Sequence, residues 1–234
     1  MQIEVIKSRR KTMALQLRNA QHLVVRVPLR ASKWQVNRFV DSHARWITKQ
    51  QQRLQQNPGL PENQYENGGF LWLLGERYAI NVVIGKRNII RRDSNDAGTI
   101  NENENDNDKT LDVYHPTGES MSVERQIKQW QRDFAYTTFE ALIAKQYNEF
   151  PIQLPAFSMT VRQMRRQWGN CSRDGRIKLS INLIRYPEVS IKHVIYHELC
   201  HLIHFNHSRD FYALLEKVEP DWQANKQLLG AYSG

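Results

Sequence analysis

Five residues, His197-Glu198-Leu199-Cys200-His201, constrain this 234-residue chain more than any others. Two histidines four positions apart project from one face of an α-helix, so the stretch must be helical if both are to reach one ion. Glu198 stands one residue round and reaches a water at that ion without ligating it. In this arrangement zinc activates water and a carboxylate takes its proton. Ile191, Val194, Ile195, Leu199, Leu202 and Phe205 form an apolar stripe. That stripe predicts a buried amphipathic helix over about 190–205.

A tetrahedral site needs a third ligand from another direction. His204 shares the helix face of His197 and His201, but three side chains along one straight helix approach an ion almost collinearly. Asn206 suits a left-handed helix terminus and Ser208 suits the cap of a new helix. His207, between them, is placed to swing back and is the favoured third ligand. His204 and the downstream acids Glu216 and Glu219 stay open as alternatives. Three histidines leave a coordination position for water, which favours a catalytic zinc, one per chain, over a closed structural one.

Three strands are predicted near 2–7, 13–18 and 22–27, followed by a helix from the Ser32 cap to about Gln56, stopped by Asn57-Pro58-Gly59. Residues 70–74 and 78–84 read as a hairpin around Gly75-Glu76. The segment 92–109 is low in complexity and is predicted to be a mobile acidic loop. A strand near 110–114 precedes a long helix over 122–150. Strands near 157–163 and 176–181 then lead to the metal helix, and helices over 208–218 and 220–229 close the chain. The fold class is α+β. Residues 1–116 form an N-terminal β-rich region with one helix, and residues 117–234 form the hydrolase core. Segment 176–182 is the expected edge strand for an extended substrate. Trp168 and Asn170 are placed on the turn before it, with Arg162, Arg165, Arg166 and Arg176 near the cleft.

The formal charge is +9, with 33 Lys and Arg against 24 acids. Residues 93–108 hold six of those acids and no Lys or Arg, so the rest is more basic still. A basic surface attracts polyanions such as nucleic acid or nucleotides. No apolar run approaches the roughly 20 residues of a membrane span, and residues 1–6 read as a strand rather than a secretory h-region. Two cysteines, Cys171 and Cys200, point to a reducing, cytoplasmic setting without a disulfide framework. Cys200 reads as a small buried apolar residue.

From about Val161 to Leu229 the chain resembles the YgjP-like metallopeptidase family, which is related to SprT-like and WLM zincins. The matching text is Trp168-Gly169-Asn170-Cys171-Ser172, Ile177-Lys178-Leu179, Asn182-Leu183-Ile184, Pro187 and the stretch 197–202. It continues through Asn206-His207-Ser208, Phe211, Pro220, Trp222 and Leu229. Arg9-Arg10-Lys11-Thr12, Trp46-Ile47, Leu74-Gly75 and Tyr78 extend the likeness over nearly the whole chain. The resemblance implies a minimal zincin-like core: a small twisted sheet, a long backing helix and the metal-binding helix, with an N-terminal β-rich extension. It implies a zinc-dependent hydrolase of peptides or proteins, with His197, His201 and His207 as ligands and Glu198 as general base. Trp168, Asn170, Arg165 and Arg166 are then the candidate substrate contacts. Gln167, Asn170, Ser180 and His193 depart from residues usual in the family, and these departures touch the substrate subsite rather than the metal ligands.

Two rivals follow from the charge. The same activated water could attack phosphorus in a nucleoside triphosphate, with the arginines as phosphate contacts, although no P-loop is present. The chain could instead be a nucleic-acid-binding module with structural zinc. A mixed case, a protease recruited to DNA, is what the likeness to SprT-like and WLM zincins suggests.

Overall fold

The structure is a computed structural model that describes residues 1–56, 59–92, 109–164 and 166–233. The acidic loop expected at 92–109 lies, apart from its two end residues, outside the described residues. So do Asn57, Pro58 and Arg165. Among the described residues the chain mixes three small sheets with six α-helices. None of these helices is long and apolar enough to cross a membrane. The chain divides into two compact units, 1–61 with 230–234, and 62–229. The boundary expected at 116/117 falls inside the second unit.

In the first unit, β1 (Gln2–Ser8), β2 (Ala14–Asn19) and β3 (His22–Pro28) form a sheet in the order β1-β3-β2. β3 is parallel to β1 and antiparallel to β2. Being central, β3 reads as a near-continuous apolar run, and Leu23, Val24, Val25 and Val27 are fully buried. Leu23, Val25 and Val27 join Ala31, Val36 and Ile47 in one core. Ser32 caps the following helix, as its sequence predicts, and Gln35 completes a capping box with it. The single helix expected up to Gln56 is instead two, α1 (Lys33–Ser42) and α2 (Ala44–Gln56). The break is at His43, and its cause is local. The Phe39 carbonyl, which an unbroken helix gives to the His43 N–H, is approached by Ser42 Oγ at 2.8 Å and by His43 Nδ1 at 2.8 Å. The His43 N–H turns to Val40 and Asp41 instead.

The second unit begins with β4 (Phe70–Leu73), β5 (Glu76–Ile84), β6 (Ile89–Arg92) and β7 (Lys109–His115), ordered β4-β5-β7-β6. β6 was not anticipated: four residues, Ile89-Ile90-Arg91-Arg92, are too few to show a period. The hairpin between β4 and β5 turns on Leu74-Gly75, one residue earlier than expected. Both residues have positive φ, 52° and 85°, as a type I′ hairpin needs. Leu74 bears that conformation because the turn is pinned from outside. Its N–H donates to the Ile184 carbonyl at 2.7 Å, and the Gly75 N–H donates to Arg185 at 3.1 Å. A Cβ on Gly75 would stand 2.7 Å from Pro187 Cγ. The hairpin tip is thereby seated on the chain that starts the site helix.

α3 (Ser120–Asn148) begins two residues earlier than expected. Its buried line runs through Val123, Ile127, Gln131, Ala135, Phe139 and Ile143. Trp130 and Phe134, expected on that line, are half-buried beside it and stack on each other. Gln146, buried near the end of α3, donates to the Lys192 carbonyl at 3.0 Å and so ties α3 to the site helix.

The last sheet holds β8 (Ser158–Arg162), β9 (Gly169–Cys171) and β10 (Arg176–Ser180) in the order β8-β10-β9. This corrects the expectation for segment 176–182. β10 is the middle strand, hydrogen-bonded to parallel β8 and antiparallel β9, so it has no free edge. The strand that packs on the site helix is β9, cut from residues read as a turn. A 3-10 helix (Ile181–Arg185) leads to α4 (Glu188–His201), which is followed by α5 (Arg209–Val218) and α6 (Trp222–Ser233).

Candidate metal centre

α4 carries His197 and His201 in its last turn, and it is buried on more than one face. Ile191, Val194, Ile195, Leu199 and Cys200 pack inward as expected, but Ser190, His193 and Glu198 are buried as well. Phe205, expected on the apolar stripe, is exposed because the helix stops at His201 rather than 205. Tight i→i+3 bonds end it, from Leu202 N–H to Leu199 and from Ile203 N–H to Cys200. No residue at 206 adopts the left-handed conformation expected of Asn206; among described residues outside glycine, only Leu74 has a positive φ. Ser208 does cap α5, its Oγ accepting from the Phe211 N–H.

This reversal brings His207 back to the end of α4. Its Nε2 lies 3.0 Å from His197 Nε2, and His201 Nε2 lies 3.2 Å from the same atom. The three ligand atoms fall within 4.8 Å of one another. Tetrahedral zinc with Zn–N bonds of about 2.0–2.1 Å holds its nitrogens roughly 3.3 Å apart. The donor set therefore fits a single ion of that size. His201 Nδ1 lies 2.9 Å from the His204 carbonyl. As the donor there, Nδ1 carries the proton and leaves the Nε2 lone pair for a metal. His204 thus joins the site through its main chain, and its ring is not in the cluster.

Phe211 is the residue that sequence reasoning undervalued. It is fully buried, and its ring centroid lies 5.0, 4.7 and 4.8 Å from those of His197, His201 and His207. One aromatic ring floors all three imidazoles. Only its place, three residues past the Ser208 cap, could have signalled this.

Neither acid alternative joins the cluster. Glu216 is exposed. Glu219 is buried, but one oxygen lies 2.7 Å from His193 Nδ1 and the other accepts from Asn225 Nδ2 at 2.8 Å. His193, one turn before His197, reaches the same cavity as the triad.

Electrostatics favour the neutral rings of His197 and His201. Burial, with His201, His207, His193 and Lys226 nearby, holds His197 far below its usual value, at about 3. Burial also lowers His201. Burial pushes the Glu198 carboxyl up to about 8, opposed by the Cys171 main-chain N–H that donates to it. Glu198 Oε2 is buried without a partner. Gly169 on β9 faces this carboxyl so closely that a Cβ there would fall 2.7 Å from Glu198 Cγ.

A cavity of about 430 Å³ opens beside the triad. Trp168, Gly169, His193, Val194, Tyr212, Leu215, Trp222 and Lys226 line it with His197, Glu198 and His207. Trp168 is half-buried, edge-on to Tyr186 with ring centroids 4.9 Å apart. Ser180 holds the loop that bears it, its N–H donating to the Trp168 carbonyl and its Oγ to that of Met164. Asn170 is exposed, and the two-residue period of β9 puts it on the face opposite Gly169 and Cys171. Arg162 and Arg166 are exposed and do not line the cavity, and Arg176 pairs with Asp174 at 2.6 Å.

An α+β chain with three imidazoles converging beside a buried carboxyl has the make-up of a metallohydrolase. Sequence comparison bears directly on that class. The chain belongs to the YgjP-like family: the family model described as "YgjP-like, metallopeptidase domain" matches residues 11–232, nearly its whole length. No curated protein matches it. The family implies a divalent metal and a peptide or protein substrate.

Proposed function

We propose that this chain is a zinc-dependent peptidase with a zincin-like core. The observation that carries the reading is the convergence of three Nε2 atoms, with separations of 3.0 and 3.2 Å from His197, next to Glu198. Three imidazoles without a carboxylate favour zinc over magnesium or calcium, which prefer oxygen ligands. His197, His201 and His207 hold the ion. Bound there, it supplies positive charge that acidifies water, polarises a carbonyl and favours the ionised form of the Glu198 carboxyl.

The remaining work belongs to side chains and main chain. Glu198 takes a proton from water and hands it to the departing amine, so that the carboxylate is restored with each turnover. The Cys171 N–H orients that carboxyl. Burial of Glu198 limits bulk water's access to the proton it carries.

The register of β9 supports a path for the substrate along that strand. Trp168 and Ser172 bond main chain to main chain with Ser180 and Arg176 on β10. The antiparallel alternation then turns the polar groups of Gly169 and Cys171 outward, beside Glu198. An extended peptide adding to that edge brings its scissile carbonyl to the triad. The adjoining cavity, walled by Val194, Leu215, Trp168 and Trp222 with Lys226 the one Lys or Arg among its described lining residues, suits a large apolar side chain better than a triphosphate. This favours peptide bonds over phosphoanhydrides. Trp168 is the substrate contact of this reading; Asn170 and Arg166 stand outside the cavity.

The test is elemental analysis of the purified protein, followed by a screen of casein, mixed peptides and nucleoside triphosphates. The expected result is one zinc per chain and peptide cleavage that stops on chelation and returns with zinc. Hydrolysis confined to nucleoside triphosphates would overturn the peptidase reading.

A further inference from the structure

The positive charge is not spread over this chain. Residues 1–61 hold 12 of the 33 Lys and Arg but only 2 of the 24 acids, Glu4 and Asp41. That is a net +10, while the remainder carries 21 bases against 22 acids. The whole excess therefore sits on the first unit, away from the metal-ligand residues in sequence.

The fold gathers part of it into a groove. Parallel pairing of β1 with β3 sets Ser8 opposite Pro28, so the chain leaving each strand emerges at the same end of the sheet. Arg9, Arg10 and Lys11 follow one strand and Arg30 the other, and these four cations line a cavity of about 310 Å³. A second cavity, of about 540 Å³, is lined by Lys7 and Ala31, the chain neighbours of Ser8 and Arg30, which line the first. Its walls are apolar, with Ile3, Val5, Val36 and Val40, and Lys7 and Lys33 stand among them. Asp41 is the lone acid among its described lining residues. None of these six cations has an ion-pair partner among the described residues. Arg10 Nε is buried without any hydrogen-bond partner. Directly after Lys33, Trp34 is 67% exposed, with the Arg38 guanidinium 5.3 Å from its ring centroid.

Unpaired cations along a groove neutralise phosphates. Apolar walls and an exposed indole beside an arginine receive the faces of unstacked bases. We propose that this N-terminal unit binds single-stranded nucleic acid, with Lys7, Arg9, Arg10, Lys11, Arg30 and Lys33 on the sugar–phosphate backbone and Trp34 stacked on a base. A duplex keeps its base faces covered and would leave Trp34 and the apolar wall unused. This activity is independent of the metal centre.

The test is fluorescence anisotropy of the full-length chain with a labelled oligothymidylate of roughly 15 nucleotides. If four phosphates are neutralised, affinity falls roughly 50-fold between 50 and 200 mM salt. Arg9→Ala combined with Arg30→Ala weakens binding and flattens the salt dependence, whereas Arg9→Lys with Arg30→Lys keeps it. Trp34→Ala costs roughly tenfold or more at constant salt. Glu198→Gln binds as the parent does, which separates this proposal from the peptidase reading. Absence of binding at low salt overturns it, as does equal affinity for a duplex of the same length with no effect of Trp34→Ala. Unchanged melting by circular dichroism shows that the variants are folded.

Discussion

Gly169 and Glu198 are fitted to each other: a Cβ on the glycine would lie 2.7 Å from Cγ and 2.8 Å from Cδ of the glutamate. An edge strand can press this closely on a buried carboxyl only where it carries no side chain. Gly169→Ala is therefore expected to push Glu198 aside while leaving the imidazoles in place. The variant should bind one metal per chain and lose roughly 100-fold in kcat, the scale of a 1 Å misplacement. Elemental analysis beside peptide turnover checks it. Undiminished turnover would show that Glu198 does not need this position.

Glu198→Gln removes the proton acceptor and keeps the shape. Metal content should be unchanged and hydrolysis should fall by about 10²–10⁴-fold or more. A metal-replete Glu198→Gln protein with parental turnover would end the assignment of this base.

His207 and Glu219 separate the candidate third ligands. His207→Ala should lose metal at the concentration where the parent is saturated. Glu219→Ala should keep its metal but lose the partner of His193 Nδ1 and Asn225, at a cost of about 1–3 kcal/mol in stability. Metal titration and denaturant melts on both variants read the two effects independently. Metal loss in Glu219→Ala with retention in His207→Ala would reverse the roles.

Phe211, packed under all three imidazoles, predicts a joint loss. Phe211→Ala should destabilise the chain by about 3–5 kcal/mol and weaken metal binding, with Phe211→Leu milder in both. Thermal melts with and without zinc measure it. Unaltered zinc affinity in a folded Phe211→Ala protein would show that the ring only fills space.

The two thiols should be poor nucleophiles. Burial, with the charges of Glu198 and Asp174, raises Cys171 to about 11, and burial with Glu219 raises Cys200 to about 12. A raised value means less thiolate at a given pH. Alkylation by iodoacetamide should be slow at neutral pH and climb roughly tenfold per pH unit up to about 10. Intact mass spectrometry follows it. Stoichiometric labelling of both thiols of the native chain within minutes at pH 7 would contradict the burial of Cys200 and the raised value of Cys171.

Local chemistry was legible where one stretch of chain carries its own cause. The Ser32 cap, the Ser208 cap, the three opening strands and the α4 apolar positions follow from residue type and spacing alone. What failed depended on competition or on partners distant in sequence. His43 broke a helix that periodicity continued, because side chains took the carbonyl it required. β10 became a central strand because residues 169–171, too short to show alternation, paired with its outer side. Arg162 and Arg176, adjacent to site residues in sequence, stand outside the cavity because strand alternation turned the first away and an Asp174 partner holds the second.

The sequence by itself determined which side chains can work together: helical spacing puts His197 and His201 on one face, whatever surrounds them, and leaves Glu198 beside it. Only the tertiary structure decided that His207, rather than Glu219, meets them, and that Phe211 floors the three rings. It also decided that an edge glycine makes room for the carboxyl. Helix periodicity is a property of neighbouring residues, fixed by backbone geometry. Convergence at one point depends on where the chain turns and on which groups burial leaves without a partner, and those are settled by contacts among residues far apart in the chain.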